Sequence, residues 1–157
     1  MKLRKSWREK LDHSGDLPKL EEVTASMSQR WGPGPVFIPS PRLVDEVMRG
    51  IPSGRLITST EIREHLARRH GAAFTCPITT GIFANIAAHA SEEAAAEGEA
   101  CVTPWWRTLK AGGELNPKYP GGHELQKARL EAEGHTMTQR GSKVRVRDYD
   151  ACLHPLD

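Results

Sequence analysis

Little in this sequence calls for an oxidising compartment, a bilayer or a bound metal. Its three cysteines, Cys76, Cys101 and Cys152, are odd in number and lack Cys-x-x-Cys spacing, which argues against both a disulfide framework and a zinc site. No apolar stretch approaches the roughly 20 residues that a bilayer requires, and the N-terminus alternates charged and apolar residues where a signal peptide would have an apolar core. The expectation is a cytoplasmic protein with no membrane association. Seven histidines are scattered along the chain, and His65 and His70 do not share a helical face, so no metal site is expected. Charge of one sign is also lacking. Twenty-two Lys and Arg against twenty Asp and Glu leave a formal net charge of +2, which by itself selects no polyanionic partner.

What is present is enough for one folded domain. The 157 residues, 38% hydrophobic and 27% charged, fit a single globular unit with a real core. The charges are unevenly placed. Lys2, Arg4, Lys5, Arg8 and Lys10 open the chain, Arg140, Lys143, Arg145 and Arg147 lie near its end, and Glu92, Glu93, Glu97 and Glu99 form an acidic run. Basic clusters of this kind either contact nucleic acid or are simply solvated faces.

Residues 1–39 read as an irregular N-terminal arm: a short amphipathic turn from Trp7 to Leu11, then Trp31-Gly-Pro-Gly-Pro35, where proline and glycine forbid a helix. Trp31 and Phe37 are expected to anchor it. Residues 40–157 form the domain proper. Ser40 suits an N-cap and Pro41 the first helical position, with Leu43, Val44, Val47 and Met48 as one stripe before Gly50. Thr58-Ser-Thr-Glu61 has capping-box spacing and opens a second helix that Gly71 stops near His70. Pro77 opens a third, in which Ile78, Ile82, Phe83 and Ile86 recur at helical spacing and an alanine-rich continuation reaches Ala96. Two helices across a short link predict a helix-turn-helix. Val102 to Leu109 reads as extended, Ala111-Gly-Gly113 as a turn, and Gly121 as the start of a fourth helix that ends near Gly134. The segments 135–139 and 143–146, around Arg140-Gly-Ser142, predict a β-hairpin in the position of a wing. The fold class is thus mainly α with small β, winged-helix-like.

Four motifs in this order carry a resemblance. Ile51-Pro-Ser-Gly-Arg-Leu-Ile-Thr-Ser-Thr-Glu-Ile62, Thr103-Pro-Trp-Trp-Arg107, Tyr119-Pro-Gly-Gly122 and Leu130-Glu-Ala-Glu-Gly134 resemble the DNA-binding domain of the O6-alkylguanine-DNA alkyltransferases, the C-terminal domain of that family, and its noncatalytic alkyltransferase-like branch. Thr103–Arg107 stands where the family has Pro-Cys-His-Arg. Trp105 thereby falls at the acceptor cysteine and Trp106 at the histidine, and only Glu133 aligns with the carboxylate of the catalytic set. Irreversible alkyl transfer needs an activated thiolate, so methyltransferase activity is not expected and no catalytic residue or cofactor is assigned. The resemblance also puts Ile78 at the family's intercalating arginine and Ser59 at its phosphate-rotating tyrosine, and the stretch from Gly81 to Pro104 is longer than in the family.

The function so implied is binding of alkylated or otherwise damaged duplex DNA at the minor groove, by nucleotide flipping, in repair signalling with a repair protein as partner. The residues assigned to nucleic acid are Arg63, Thr79, Thr80, Asn85, Trp105, Trp106, Arg107 and Tyr119. Trp105 is expected to line a pocket for an extruded base, and Thr79, Thr80, Ala84 and Ala88 to allow close approach to the groove, or else to pack on another helix. Two alternatives stand beside this. The acidic run and the absent arginine fit a protein-interaction module that has lost DNA binding. Cys76, before Pro77 at a helix start, fits a reactive thiolate.

Overall fold

Local signals explain where each helix begins. In a computed structural model that describes residues 5–156, Lys2 and Arg4 of the basic N-terminal cluster lie outside the described residues. The Leu43 amide donates to the Ser40 hydroxyl at 3.3 Å and opens a helix over Pro41–Arg49. The amide of Thr58 donates to the Glu61 carboxylate at 3.0 Å while the Thr58 hydroxyl accepts from the Thr60 amide, a capping box for Ser59–His70. Gly71 ends that helix with φ of +65°, a left-handed conformation that glycine adopts without strain. Pro77–Ala96 is the longest helix.

In chain order the elements are α1 (Trp7–Asp12), β1 (Lys19–Glu22), α2 (Ala25–Trp31), β2 (Pro35–Ile38), α3 (Pro41–Arg49), β3 (Ile57–Thr58), α4 (Ser59–His70), β4 (Phe74–Thr75), α5 (Pro77–Ala96), β5 (Thr108–Leu109), α6 (Gly122–Ala132), β6 (Met137–Arg140) and β7 (Lys143–Val146). Short 3-10 turns cover Trp105–Arg107, Ala111–Gly113 and Tyr149–Cys152. The sheets are small: β1-β2-β4, with β2 parallel to β4; β3 parallel to β5; and the antiparallel hairpin β6-β7.

The stretch expected to be an irregular arm holds two helices and two strands. Val36 and Phe37 are buried, β2 pairs with β4, and Phe37 stacks on His70 at 4.0 Å between centroids. Trp31 remains partly exposed, stacked on Phe74. Leu11 of α1 enters the main core, Trp7 stacks on His89 of α5 at 4.4 Å, and the Trp7 and Arg8 amides both donate to the Glu93 carboxylate at 3.1 Å. Arg8 also pairs with Glu97 and Glu99. Much of the acidic run is therefore the seat of α1: Glu93 satisfies the amides that the start of a helix leaves without partners, and the two clusters of opposite sign meet each other.

Of the apolar residues that recur at helical spacing along α5, Ile78 and Ile82 are exposed, and the buried face is Thr80, Ala84, Ala87, Ala88, Ala90 and Ser91. Alanines let α1, α3 and α4 approach closely, so the small side chains face the core and the isoleucines do not. Ala84 and Ala88 thus pack against the protein. A second cluster, Leu56, Leu109, Leu115, Leu130, Val144 and Val146, lies under the hairpin, and Trp106 packs against both clusters.

Candidate nucleic-acid interface

Trp105 and Trp106, the third and fourth residues of Thr103–Arg107, were expected to face a ligand, but Trp105 is buried and Trp106 packs against the core. Trp105 is 0% exposed. Its indole Nε1 donates to Glu92 at 2.9 Å, and its ring meets Trp106 and Tyr119 edge to face at 5.9 and 5.4 Å between centroids. Arg129 lies over both indoles, 5.3 Å from Trp105 and 4.9 Å from Trp106, and donates to Glu92 at 2.5 Å. A ring enclosed in this way is no stacking platform. Trp105 is corrected from a pocket residue to a core residue, its one polar atom satisfied by a carboxylate of α5 as burial demands.

Trp106 and Arg107 are likewise committed. Trp106 Nε1 donates to Glu133 at 3.1 Å, Arg107 holds the same carboxylate through Nε and Nη2, the latter at 2.6 Å, and Arg107 Nη1 donates to the Ile51 carbonyl at 2.7 Å. Both side chains of this pair are largely buried. A guanidinium with these partners is not available to a phosphate, so the assignment of Arg107 to DNA contact is withdrawn. Burial pushes the Glu133 carboxyl up, but the bonds from Arg107 and Trp106 outweigh it and hold the group below its ordinary range. Glu92 follows the same logic, with Arg129 and the Trp105 indole overcoming desolvation. Glu133 is thus an anchor for two side chains of the Thr103–Arg107 segment.

The concave surface lies next to this cluster. A groove of about 820 Å³ runs between the exposed face of α5 (Ile78, Gly81, Ile82, Asn85), the start of α4 (Ser59, Ile62, Arg63) and the segments Thr108–Ala111 and Asn116–Tyr119, and Trp7 and Lys10 of α1 reach its rim. Tyr119 gives this groove an aromatic lining and has Trp105 packed against it. Burial pushes the Tyr119 hydroxyl well above its ordinary value, so it stays neutral. Two buried polar atoms of the lining residues have no partner among the described residues, Asn85 Oδ1 and Thr108 Oγ1. Buried polar atoms without partners are rare in folded proteins and costly to leave so.

Cations surround the groove. Lys10, Arg63, Lys110 and Lys118 line it, none pairs with a carboxylate among the described residues, and no Asp or Glu is among the lining residues. Arg63 leans over the Trp31 ring at 5.7 Å, and Lys10 over Trp7 at 4.1 Å. His89 Nε2 donates to the Lys118 carbonyl at 2.9 Å, so the α1 stack and the far bank of the groove meet on one imidazole.

Of the residues predicted for nucleic acid, Arg63, Thr80, Asn85 and Tyr119 converge on this groove, although Thr80 is buried and its hydroxyl donates to the Cys76 carbonyl at 2.8 Å. Thr79 is half-buried on the Cys76 carbonyl and does not line the groove, and Trp105, Trp106 and Arg107 lie behind it. Lys10, Lys110, Lys118 and Thr108 were missed, because no local motif marks residues that meet only through tertiary packing. Cys76 is 7% exposed and outside the groove, which removes the geometric basis for a reactive thiolate. Among the described residues no group of His, Cys, Asp and Glu has the arrangement of a metal site, and no helix is long and apolar enough to cross a membrane.

At the level of sequence, no family model matches the chain and no curated protein matches it either. Solved structures do. S. pombe Atl1 in complex with damaged DNA containing O6-carboxymethylguanine aligns at 22% identity with a TM-score of 0.50, covering 73% of this chain and 94% of that one. S. pombe ATL in complex with DNA aligns at 22% identity with a TM-score of 0.52 over the same shares. Over that shared length the chain has the alkyltransferase-like fold.

Proposed function

We propose that this protein binds damaged or alkylated duplex DNA without altering it chemically, with the groove beside α5 as the site that receives a displaced base. The observation that carries the reading is the composition of that groove: four cations without carboxylate partners around a concave surface whose lining residues hold two buried polar atoms with no partner among the described residues. Phosphates answer the first feature and the hydrogen-bonding edge of a base the second. The solved neighbours, which hold DNA, support the same reading.

Alkyl transfer has no acceptor here, since no groove-lining residue is a cysteine and the residue at the family's acceptor position is an enclosed indole. Tyr119, only 4% exposed, belongs to the floor of the groove and, like Trp105, is no open stacking platform. The alternative of a protein-interaction module rested on the acidic run and the absent arginine; Glu92, Glu93, Glu97 and Glu99 are engaged by Arg129, α1 and Arg8, so the acidic run lends it no support.

The direct test is a fluorescence titration against matched duplexes carrying guanine, O6-methylguanine or an abasic site, with intact-protein mass measured afterwards. Tighter binding to the modified duplexes at unchanged protein mass is expected. Equal affinity for all three would remove damage recognition, and a methyl increment on the protein would remove the noncatalytic reading.

A further inference from the structure

The largest apolar side chains that α5 leaves in solvent have no structural use within the chain. Ile78 is 71% exposed and Ile82 52%, against near-complete burial of the alanines on the opposite face. They stand four residues apart, so they lie one above the other on the same side of the helix. Gly81 beside them has nothing within 4 Å of where a side chain would begin, which leaves the two isoleucines as a free-standing ridge along the edge of the groove that both residues line. A ridge of this kind needs an apolar partner, and the partner must also suit the charge around it: Lys10, Arg63, Lys110 and Lys118 on the same groove, with no acidic side chain in the lining. Duplex DNA is anionic outside and apolar between its stacked bases, and its base edges also offer partners to Asn85 Oδ1 and Thr108 Oγ1, which a hydrocarbon interior does not.

Resting on the DNA-binding reading above, we propose that Ile78 and Ile82 form an apolar wedge that enters a base step from the minor groove and unstacks it, so that this chain opens the duplex with hydrocarbon rather than with a charged side chain. Proteins that bind the minor groove insert apolar side chains between base steps in this way and kink the duplex. Hydrocarbon makes no hydrogen bond to the base left behind, so the wedge works best where stacking and pairing are already weak. Discrimination by this protein therefore follows the local instability of the duplex more than the chemistry of one adduct: a mismatch or an abasic site opposite an intact base serves nearly as well as an alkylated guanine.

The test places 2-aminopurine, whose fluorescence rises when it unstacks, beside an abasic site, a mismatch or an O6-methylguanine in otherwise identical duplexes. Wild-type protein is expected to raise the signal on all three and to leave the fully paired duplex dark. In the double variant Ile78→Ala, Ile82→Ala most of the rise should vanish and affinity for the weakened duplexes should fall by about tenfold, while affinity for the paired duplex, held through phosphates, changes by less than about twofold. Ile78→Phe, which keeps an apolar wedge, should retain the signal. Both positions are exposed, so the variants keep the wild-type circular dichroism and thermal melt, which are measured alongside. A double variant that binds DNA and unstacks the probe as wild type does would overturn the wedge and leave the DNA-binding reading standing. Wild-type protein that binds none of the duplexes would end both. Binding to vesicles of mixed phosphatidylserine and phosphatidylcholine, lost in the double variant and unaccompanied by duplex binding, would assign the ridge to a lipid surface instead.

Discussion

At Glu133 one carboxylate satisfies an indole and a guanidinium that the chain has buried side by side. The arrangement has a sign in pH. Because the folded group titrates below its ordinary value, folding is favoured by the ionised form, and this contribution is fully present above the unfolded pKa. It is lost as pH falls through the folded one, where the unfolded chain already holds the proton. Glu133→Gln should therefore cost about 3 kcal/mol at neutral pH, since it leaves Arg107 buried without its counter-charge, and should flatten the loss of stability as pH falls below the ordinary carboxylate range. Urea unfolding followed across that range measures both. A variant whose stability declines with acid as steeply as wild type would show that Glu133 carries no such linkage. Trp105 teaches a related lesson: expected as a wall of the pocket, it is held in the core by a hydrogen bond to Glu92, a contact that no spacing in the sequence signals.

Among the elements, helix ends were legible and so was the inward stripe of α3, with Val44 and Met48 buried, whereas the inward face of α5 was not. Ser40 with Pro41, Thr58 with Glu61, and Gly71 placed α3 and α4 because capping is chemistry between near neighbours. Which side of α5 turns inward depends on what packs there. The prior that isoleucine is buried and alanine indifferent fails when three helices converge on one and need small side chains between them. The arm was missed for a similar reason: the bonds that fix α1 run from Trp7 and Arg8 to Glu93, 86 and 85 positions away. That docking makes α1 part of the core. Leu11→Ala should cost about 2 kcal/mol, the lower end for a buried leucine, and should free α1 from α5, as read by faster amide exchange at His89 and its neighbours. Exchange unchanged at α5 would mean that the helix rests on the surface without supporting it.

Across the whole molecule a net charge of +2 hides a local asymmetry. Acidic side chains of α5 are consumed by Arg8 and Arg129, whereas Lys10, Arg63, Lys110 and Lys118 face the groove without partners. If these four contact phosphates, the logarithm of the binding constant should fall with that of the salt concentration with a slope of about −3 to −4. Replacing any one by Gln should reduce that slope by about 1 and weaken all duplexes alike. Should the slope survive all four replacements, the hairpin cations Arg140, Lys143 and Arg145, which line a separate hollow, carry the backbone contacts instead.

Of the groove's lining, Leu109 belongs to the cluster under the hairpin, whereas Ala84 of α5, Ile62 and Tyr119 belong to the one containing Trp105, and Trp106 touches both. That indole is tied down by Glu133, so loosening the Glu133 clasp should shift Leu109 against α5, and the width of the opening is set from behind, by residues that never line it.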